Sequence, residues 1–323
     1  MIRERLRRAK ALVNILLDYF YDARRYFMYS QSGRYKLNPD QLRGRLLQKA
    51  HSIEKGLSMP KPRDFFGKTA LRQLEQLIGM YEDLGLPEDH VSIRMARGSI
   101  RAYFERHAGK NIPADIARFE KLALAGPAPA DTGTVTLGRD AQVLAGQGDL
   151  ESVMRSRRST RMFAPGAVDA DVLRDAVALA GTSPSVCNRQ SSRVYAIRDA
   201  ETKSRILPLQ GGNRGFGDDI DTVLVVASDM SNFRDGKERN QGFVDGGMFA
   251  MSLLLALHSK GLGTIPLNWS ADRRKNATLL RILDLPQNDL IIMMIGVGQI
   301  PEAFEVAASP RRSLDDLLNE ITP

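Results

Sequence analysis

The chain is nearly devoid of cysteine. Cys187 stands alone among 323 residues, which excludes an intrachain disulfide framework and fits a reducing compartment. Histidine is scarce as well: His51, His90, His107 and His258 share no ligand spacing with acids or with the thiol, and neither HExxH nor CxxC occurs, so no metal is expected. GxSxG is missing, which leaves acyl-transfer chemistry unsupported. Gly211–Gly217 looks like a phosphate loop, yet Ile220 stands where G-x-G-x-x-G needs its third glycine, and Gly236-Lys237 lacks the Ser or Thr of a P-loop. No segment supplies the ~20 apolar residues of a membrane span. The first apolar run, Ala11–Tyr21, is broken by Asn14 and Asp18 with no small-residue cleavage site after it, so no signal peptide is expected. These absences point to a cytoplasmic protein.

Acidic residues are short at one end only. Residues 1–60 hold 13 Lys and Arg against five Asp and Glu, which is the whole +8 of the chain. Any account of the basicity must therefore concern that end. No RRM, zinc-finger or other recognition signature accompanies the charge, so nucleic acid is not the expected partner.

The first ~125 residues read as helices with legible punctuation. Leu6, Leu12, Val13, Leu16, Leu17, Phe20 and Phe27 recur at helical spacing. Asn38-Pro39 opens a helix that Gly56 closes, and further helices over 68–84, 88–108 and 113–125 are followed by Gly85, Gly109 and Gly126. Residues 127–149, rich in Gly, Ala, Pro and Thr, read as a linker or wrapping segment. From 150 to 323 helices alternate with strands: helices over 150–157, 170–180, 244–260 and 273–283, strands over 193–198, 222–227, 264–267 and 290–297. The expected fold class is α/β (α+β), a mixed central sheet covered by helices and preceded by an all-helical domain over 1–126.

Chemistry concentrates between Arg155 and Gln190. RSRRSTRMF offers Arg157, Arg158, Ser159, Thr160 and Arg161 in succession, a donor set suited to a dianionic phosphate. Alone, such a run is more often a solvated face. SPSVCNRQ follows, a Pro-fixed loop whose short polar groups can meet a planar ring edge-on. Taken in order, RRSTRMF, SPSVCNRQ, a glycine-bearing apolar helix leading into GLGTIPLNWS, LIIMMIGVG and RRSLDDLL resemble the FMN-dependent nitroreductase family over residues ~151–320.

That resemblance implies an FMN-dependent NAD(P)H oxidoreductase, a homodimer with FMN at the subunit interface, passing hydride through flavin N5 to a small-molecule acceptor in a ping-pong cycle. It implies that Arg157, Arg158, Ser159 and Arg161 serve the FMN phosphate and ribityl chain, with Arg161 reaching the pyrimidine side. Pro184, Ser185 and Asn188 would lie at the flavin, and Arg311 or Arg312 would complete the phosphate clamp. The backbone at Asn268 and Trp269 would point an N–H at N5. Asn213 and Arg214 are expected at the flavin edge, a surface loop being the alternative. Ser191-Ser192 replaces the Pro-Trp of many relatives. The helix carrying Gly246, Gly247, Met248, Met251 and Leu255 suits a dimer interface, with core packing as its alternative.

The phrase HSIEKGL…KPR…FG, from His51 to Gly67, faintly resembles extensions on nitroreductase-like proteins of polysaccharide biosynthesis, although a capped helix end explains it as well. A second reading belongs to another class: a flavin-binding interaction or sensor protein whose basic residues 1–60 dock to a membrane surface, an anionic polymer or a partner enzyme.

Overall fold

The computed structural model describes residues 2–29, 37–124, 132–233 and 236–321. It divides into two compact units: Leu137–Phe304 together with the residues up to Met28, and Tyr29–Thr136 together with Glu305–Pro323.

Helix α1 (Ile2–Tyr29) is 28 residues long. The helical unit then begins with α2 (Pro39–Leu57), whose N-terminus is a full capping box: Asn38 and Gln41 each accept from the other's backbone N–H. It continues through α3 (Lys68–Asp83), α4 (Val91–Arg106), α5 (Ala114–Ala117) and α6 (Glu120–Leu124). Leu42, Leu46, Ile53, Leu71, Leu74, Ile93, Ile100 and Tyr103 are fully buried at its centre. Arg97 of α4 is 7% exposed and is neutralised by Glu82 at 2.8 Å and by Glu88, a pairing that burial of a guanidinium demands.

Along the chain there follow β1 (Thr134–Gly138), α7 (Arg139–Gly146), α8 (Leu150–Ser156), α9 (Ala170–Ala180), β2 (Ser192–Ile197), α10 (Ala200–Gln210) and β3 (Thr222–Asp229). After these come α11 (Gln241–Ser259), β4 (Gly263–Asn268), α12 (Arg273–Ile282), β5 (Asp289–Gly298) and β6 (Ala303–Ala307). The main sheet has the order β2-β3-β5-β4 with antiparallel ladders, while β1 pairs with β6. A parallel pairing enters where Ser159 bridges Thr264 on β4. Residues 222–228 of β3 are all buried, as a central strand covered on both faces requires. Helix α11 lies over the sheet through Phe249, Leu253, Leu254 and Leu257, which join Leu224, Val226, Ile295 and Val297 in one core. The stretch Gly236–Ser259 has the length and mean hydropathy, 1.3, of a membrane-crossing helix. The sequence reading saw no such segment. Its most apolar window is 56% buried, as expected of a helix laid on a sheet.

The units depart from the sequence-based domains at three places. Helix α1 groups with the sheet unit, where Arg239 reaches Asp22 at 2.7 Å and Asp18 at 3.8 Å. The expected linker is a strand and a helix over 134–146, with 127–131 outside the described residues. The stretch after Phe304 groups with the helices: Glu305 meets Arg106 at 3.5 Å, Ser309 meets His51 at 3.4 Å, and Asp316 meets His90 at 3.9 Å. The expected 113–125 helix is two short ones, and α10 was missed because Pro208 sits inside it.

Gly56 does not close α2. It lies within the last turn, and a Cβ there would stand 2.0 Å from the Phe66 ring. Its role is close approach. Gly56→Ala is expected to lower stability by about 1–3 kcal/mol, read as a fall in Tm by circular dichroism; an unchanged Tm would show that Phe66 moves aside freely.

Candidate functional site

The arginine-hydroxyl segment hangs on an edge of the sheet. Arg157 ends α8, its N–H still donating to Val153 at 3.1 Å. The chain then runs beside β4: Ser159 bridges Thr264, and the Thr160 N–H donates to the Thr264 carbonyl at 2.8 Å. Thr160 and Arg161 are buried, at 3% and 4% exposure. Arg158 turns back and donates to the carbonyls of Arg155 and Arg157, capping α8 with a cation.

His258, which no sequence pattern singled out, lies beneath this segment. It is 3% exposed and shares a 2.8 Å hydrogen bond with Ser156 Oγ. Ser156 Oγ also meets the Ser152 carbonyl at 2.6 Å. Burial, reinforced by the positive charges of Arg157 and Arg158, pushes the imidazole down to about 4. The segment thus sits in a positive local field, which suits an anion. Gln142 of α7 donates to the Ser156 carbonyl at 2.5 Å and steadies the turn.

The SPSVCNRQ loop precedes β2, at the opposite edge of the sheet. Cys187, Asn188 and Gln190 take φ of 49°, 53° and 49°, a left-handed conformation that costs L-residues on the order of 1–3 kcal/mol each and gathers at ligand clamps. Three anchors hold it. The Val186 N–H donates to the buried Asp245 carboxylate at 3.2 Å, the Gln190 N–H donates to Ser185 Oγ at 2.9 Å, and Arg189 pairs with Glu238 through both guanidinium nitrogens at 2.8 and 2.5 Å. Ser183, Pro184, Ser185 and Gln190 line a cavity of about 140 Å³ with Ser192, Asp245 and Phe249. Pro184 and Asn188 are exposed. Asp245 and Arg189 were missed by sequence reasoning.

A third group closes the C-terminal end of β4. Gln210 of α10 donates to the Asn268 carbonyl at 3.1 Å and accepts from the Gly212 N–H at 2.6 Å and from Asn213 at 3.2 Å. Asn213 is 8% exposed, and its amide also donates to the Leu207 carbonyl at 2.6 Å. It therefore faces inward as a helix cap, whereas Arg214 is exposed. Trp269 donates its indole N–H to Asn276 at 3.0 Å. Arg311 and Arg312 belong to the helical unit, where both are exposed and Arg311 donates to the Ser309 carbonyl at 2.5 Å.

Register places these groups. Ser192, Ser228, Leu290 and Asn268 lie toward one end of the sheet, and Thr264 toward the other. Three strand spacings separate β2 from β4, about 14 Å, and Thr264 lies about 13 Å along β4 from Asn268. The arginine segment and the strained loop therefore hang at diagonally opposite corners.

Residues 154–213 and 209–299 match the model of the Nitroreductase family. The FMN reductase [NAD(P)H] of Bacillus subtilis (strain 168) is 27% identical over 148 residues, 42% of this chain. The chain spans 59% of that relative's length. The solved structure of B. megaterium NfrA2 is 24% identical, with 46% of this chain and 64% of that one covered and a TM-score of 0.40. A nitroreductase-like protein from Streptococcus mutans is 18% identical, with 53% and 97% covered and a TM-score of 0.45.

The depressed His258 pKa fixes a sign for the pH dependence of stability. Below its ordinary 6.5 the unfolded chain takes a proton that the fold refuses until about 4, so stability is lost as pH falls through that window. Urea denaturation at pH 7.5 and at pH 5 should show this loss, and His258→Gln should diminish it. Equal pH dependence in both proteins would mean that His258 is not held neutral.

Proposed function

We propose that the protein is an FMN-dependent NAD(P)H oxidoreductase that acts as a homodimer on a small-molecule acceptor. The observation that carries this is Arg157–Arg161 laid along β4 inside the stretch that matches the nitroreductase family model. The donor set fits a phosphorylated flavin: guanidinium and hydroxyl groups for the phosphate, short polar groups on a rigid loop for the ring. The name of the B. subtilis relative joins the same two reactants.

FMN, when bound, supplies hydride transfer from NAD(P)H to a second substrate, the hard chemistry that a protein leaves to its cofactor. The residues bind and orient. Arg157 and Ser159 take the phosphate. Buried Arg161 supplies positive charge toward the pyrimidine side of the ring. Pro184, Ser185 and Asn188 present polar edges from a loop fixed by Asp245 and Arg189. The backbone at Asn268–Trp269, steadied by Gln210, offers a donor without a titrating side chain.

The diagonal placement of the two halves favours a shared site, with the segment of one subunit meeting the loop of another. Helix α11 supplies a surface for that pairing. Val244, Met248 and Met251 are exposed, and a Cβ at Gly247 would meet nothing within 4 Å. Gly246 has the other role foreseen for this helix: its Cβ would stand 2.5 Å from Ile292, so it packs within the subunit.

Purified protein should release about one FMN per subunit on acid treatment; FAD, or no flavin after reconstitution, would reject the reading. Arg157→Ala should weaken FMN by about 1.5–3 kcal/mol and leave riboflavin nearly unchanged, by equilibrium dialysis. Equal weakening of both would make Arg157 a support of the fold. Initial rates with a quinone acceptor should give the parallel lines of a ping-pong cycle. Arg161→Ala should slow stopped-flow reduction more than it weakens FMN; intersecting lines, or reduction at the wild-type rate, would count against the assigned roles.

A further inference from the structure

Helix α1 is attached the wrong way round for a core helix. Among the described residues, α1 meets the rest of its unit along one side: Asp18 and Asp22 meet Arg239, and Ile15 and Asp18 approach Gly236, where a Cβ would stand 3.0 and 3.1 Å from them. Ala11, Asn14, Ile15 and Asp18 share this side, beside a cleft of about 440 Å³ whose rim Leu17 also lines. The opposite face is apolar and uncovered. Leu6, Leu12, Val13, Leu16, Leu17 and Phe20 are 65%, 57%, 54%, 59%, 61% and 69% exposed. Ordinary amphipathic helices bury this stripe.

The border of that face identifies what covers it. At 100° per residue the six apolar side chains fall within one broad arc, with Arg5, Lys10 and Arg24 in it or at its edges and Arg8 just beyond. Those four cations are all exposed. The acids Glu4, Asp18 and Asp22 fall on the opposite side, and the last two are engaged by Arg239. An apolar face bordered by cations alone repels a second copy of itself, since pairing would set like charges together. It suits an anionic bilayer surface, where the apolar residues enter the acyl boundary and the cations meet headgroups. With a length of about 42 Å and six Lys and Arg between Arg3 and Arg24, α1 is too charged to span and fitted to lie flat.

We propose that α1 binds the protein peripherally to anionic phospholipid membranes through Leu6, Leu12, Val13, Leu16, Leu17 and Phe20, with Arg5, Arg8, Lys10 and Arg24 on the headgroups. The attachment through Arg239 leaves the rest of the unit on the water side. This does not rest on the oxidoreductase reading.

The test is flotation of the full chain with vesicles of phosphatidylcholine, with and without phosphatidylglycerol, read by gel so that flavin content does not enter. The wild type should float with the mixed vesicles and stay down with the zwitterionic ones. Arg5→Ala with Lys10→Ala should weaken partitioning about thirtyfold, and Leu16→Glu with Phe20→Glu should abolish it. All four positions are exposed, so the circular dichroism and Tm of both variants should match the wild type. A wild type that fails to float, or a Leu16→Glu/Phe20→Glu variant that floats equally well, overturns the proposal. So does a vesicle-free sedimentation experiment in which that variant alone loses an oligomer, because α1 would then join copies of the chain.

Discussion

The antiparallel ladder between β3 and β5 is the constraint on which the sheet unit depends. Val223, Leu224, Val225 and Val226 stand opposite Gly296, Ile295, Met294 and Met293, and the β3 residues are fully buried. Gly296 belongs to that packing: a Cβ there would stand 2.7 Å from Ile220 and 2.9 Å from Ile265. With β3 buried along this ladder, chemistry hangs from the edges and ends of the sheet. β2 carries the strained loop on one edge, and β4 carries the arginine segment along the other. The core says nothing about chemistry itself, yet it fixes how far apart the two halves of the site must be.

Those halves are stabilised by different physics. The arginine segment is held by backbone pairing to β4, and its charge is felt by an imidazole kept neutral chiefly by burial. The loop runs the other way. Its backbone is strained at Cys187, Asn188 and Gln190, and charged side chains oppose that strain: Asp245 from α11, and Arg189 paired with Glu238. Backbone held in unfavourable torsions persists only where its surroundings over-determine it, and here they do so with buried or half-buried ion contacts. A rigid loop loses little conformational entropy when a ring is laid against it.

What was legible in the sequence follows from locality. The Asn38-Pro39 helix start and the apolar runs at Val223–Val226 and Ile291–Ile292 each declare themselves within a few residues, and the elements stand where expected. The arginine segment and the SPSVCNRQ loop were legible as donor sets, and both lie at sheet margins. Three things were not legible. Gly56 reads as a stop signal, but its reason is a Phe66 ring ten residues on. His258 reads as a lone histidine, because the burial that depresses it, and the arginines that add to the effect from a hundred positions earlier, leave no local signature. The return of Ser309 and Asp316 to the helical unit depends on His51 and His90, pairings across more than 200 residues with no local signature.

Helix α1 shows the same limit in its sharpest form. Its periodicity was plain from Leu6, Leu12, Val13, Leu16, Leu17 and Phe20, and periodicity gives a helix two faces. It does not say which face turns inward. Ordinarily the apolar one does, because burial of each large apolar side chain contributes roughly 1.5–3 kcal/mol. Here the choice is made by Arg239, a residue more than 200 positions away, whose 17% exposed guanidinium lies between Asp18 and Asp22. A partly buried guanidinium left without carboxylates would cost more than an exposed ion pair contributes, so the acidic stripe is drawn inward and the apolar stripe is displaced to the surface. The displaced stripe forgoes burial inside this unit. That free energy stays available to whatever outside surface can take up an apolar ridge bordered by positive charge.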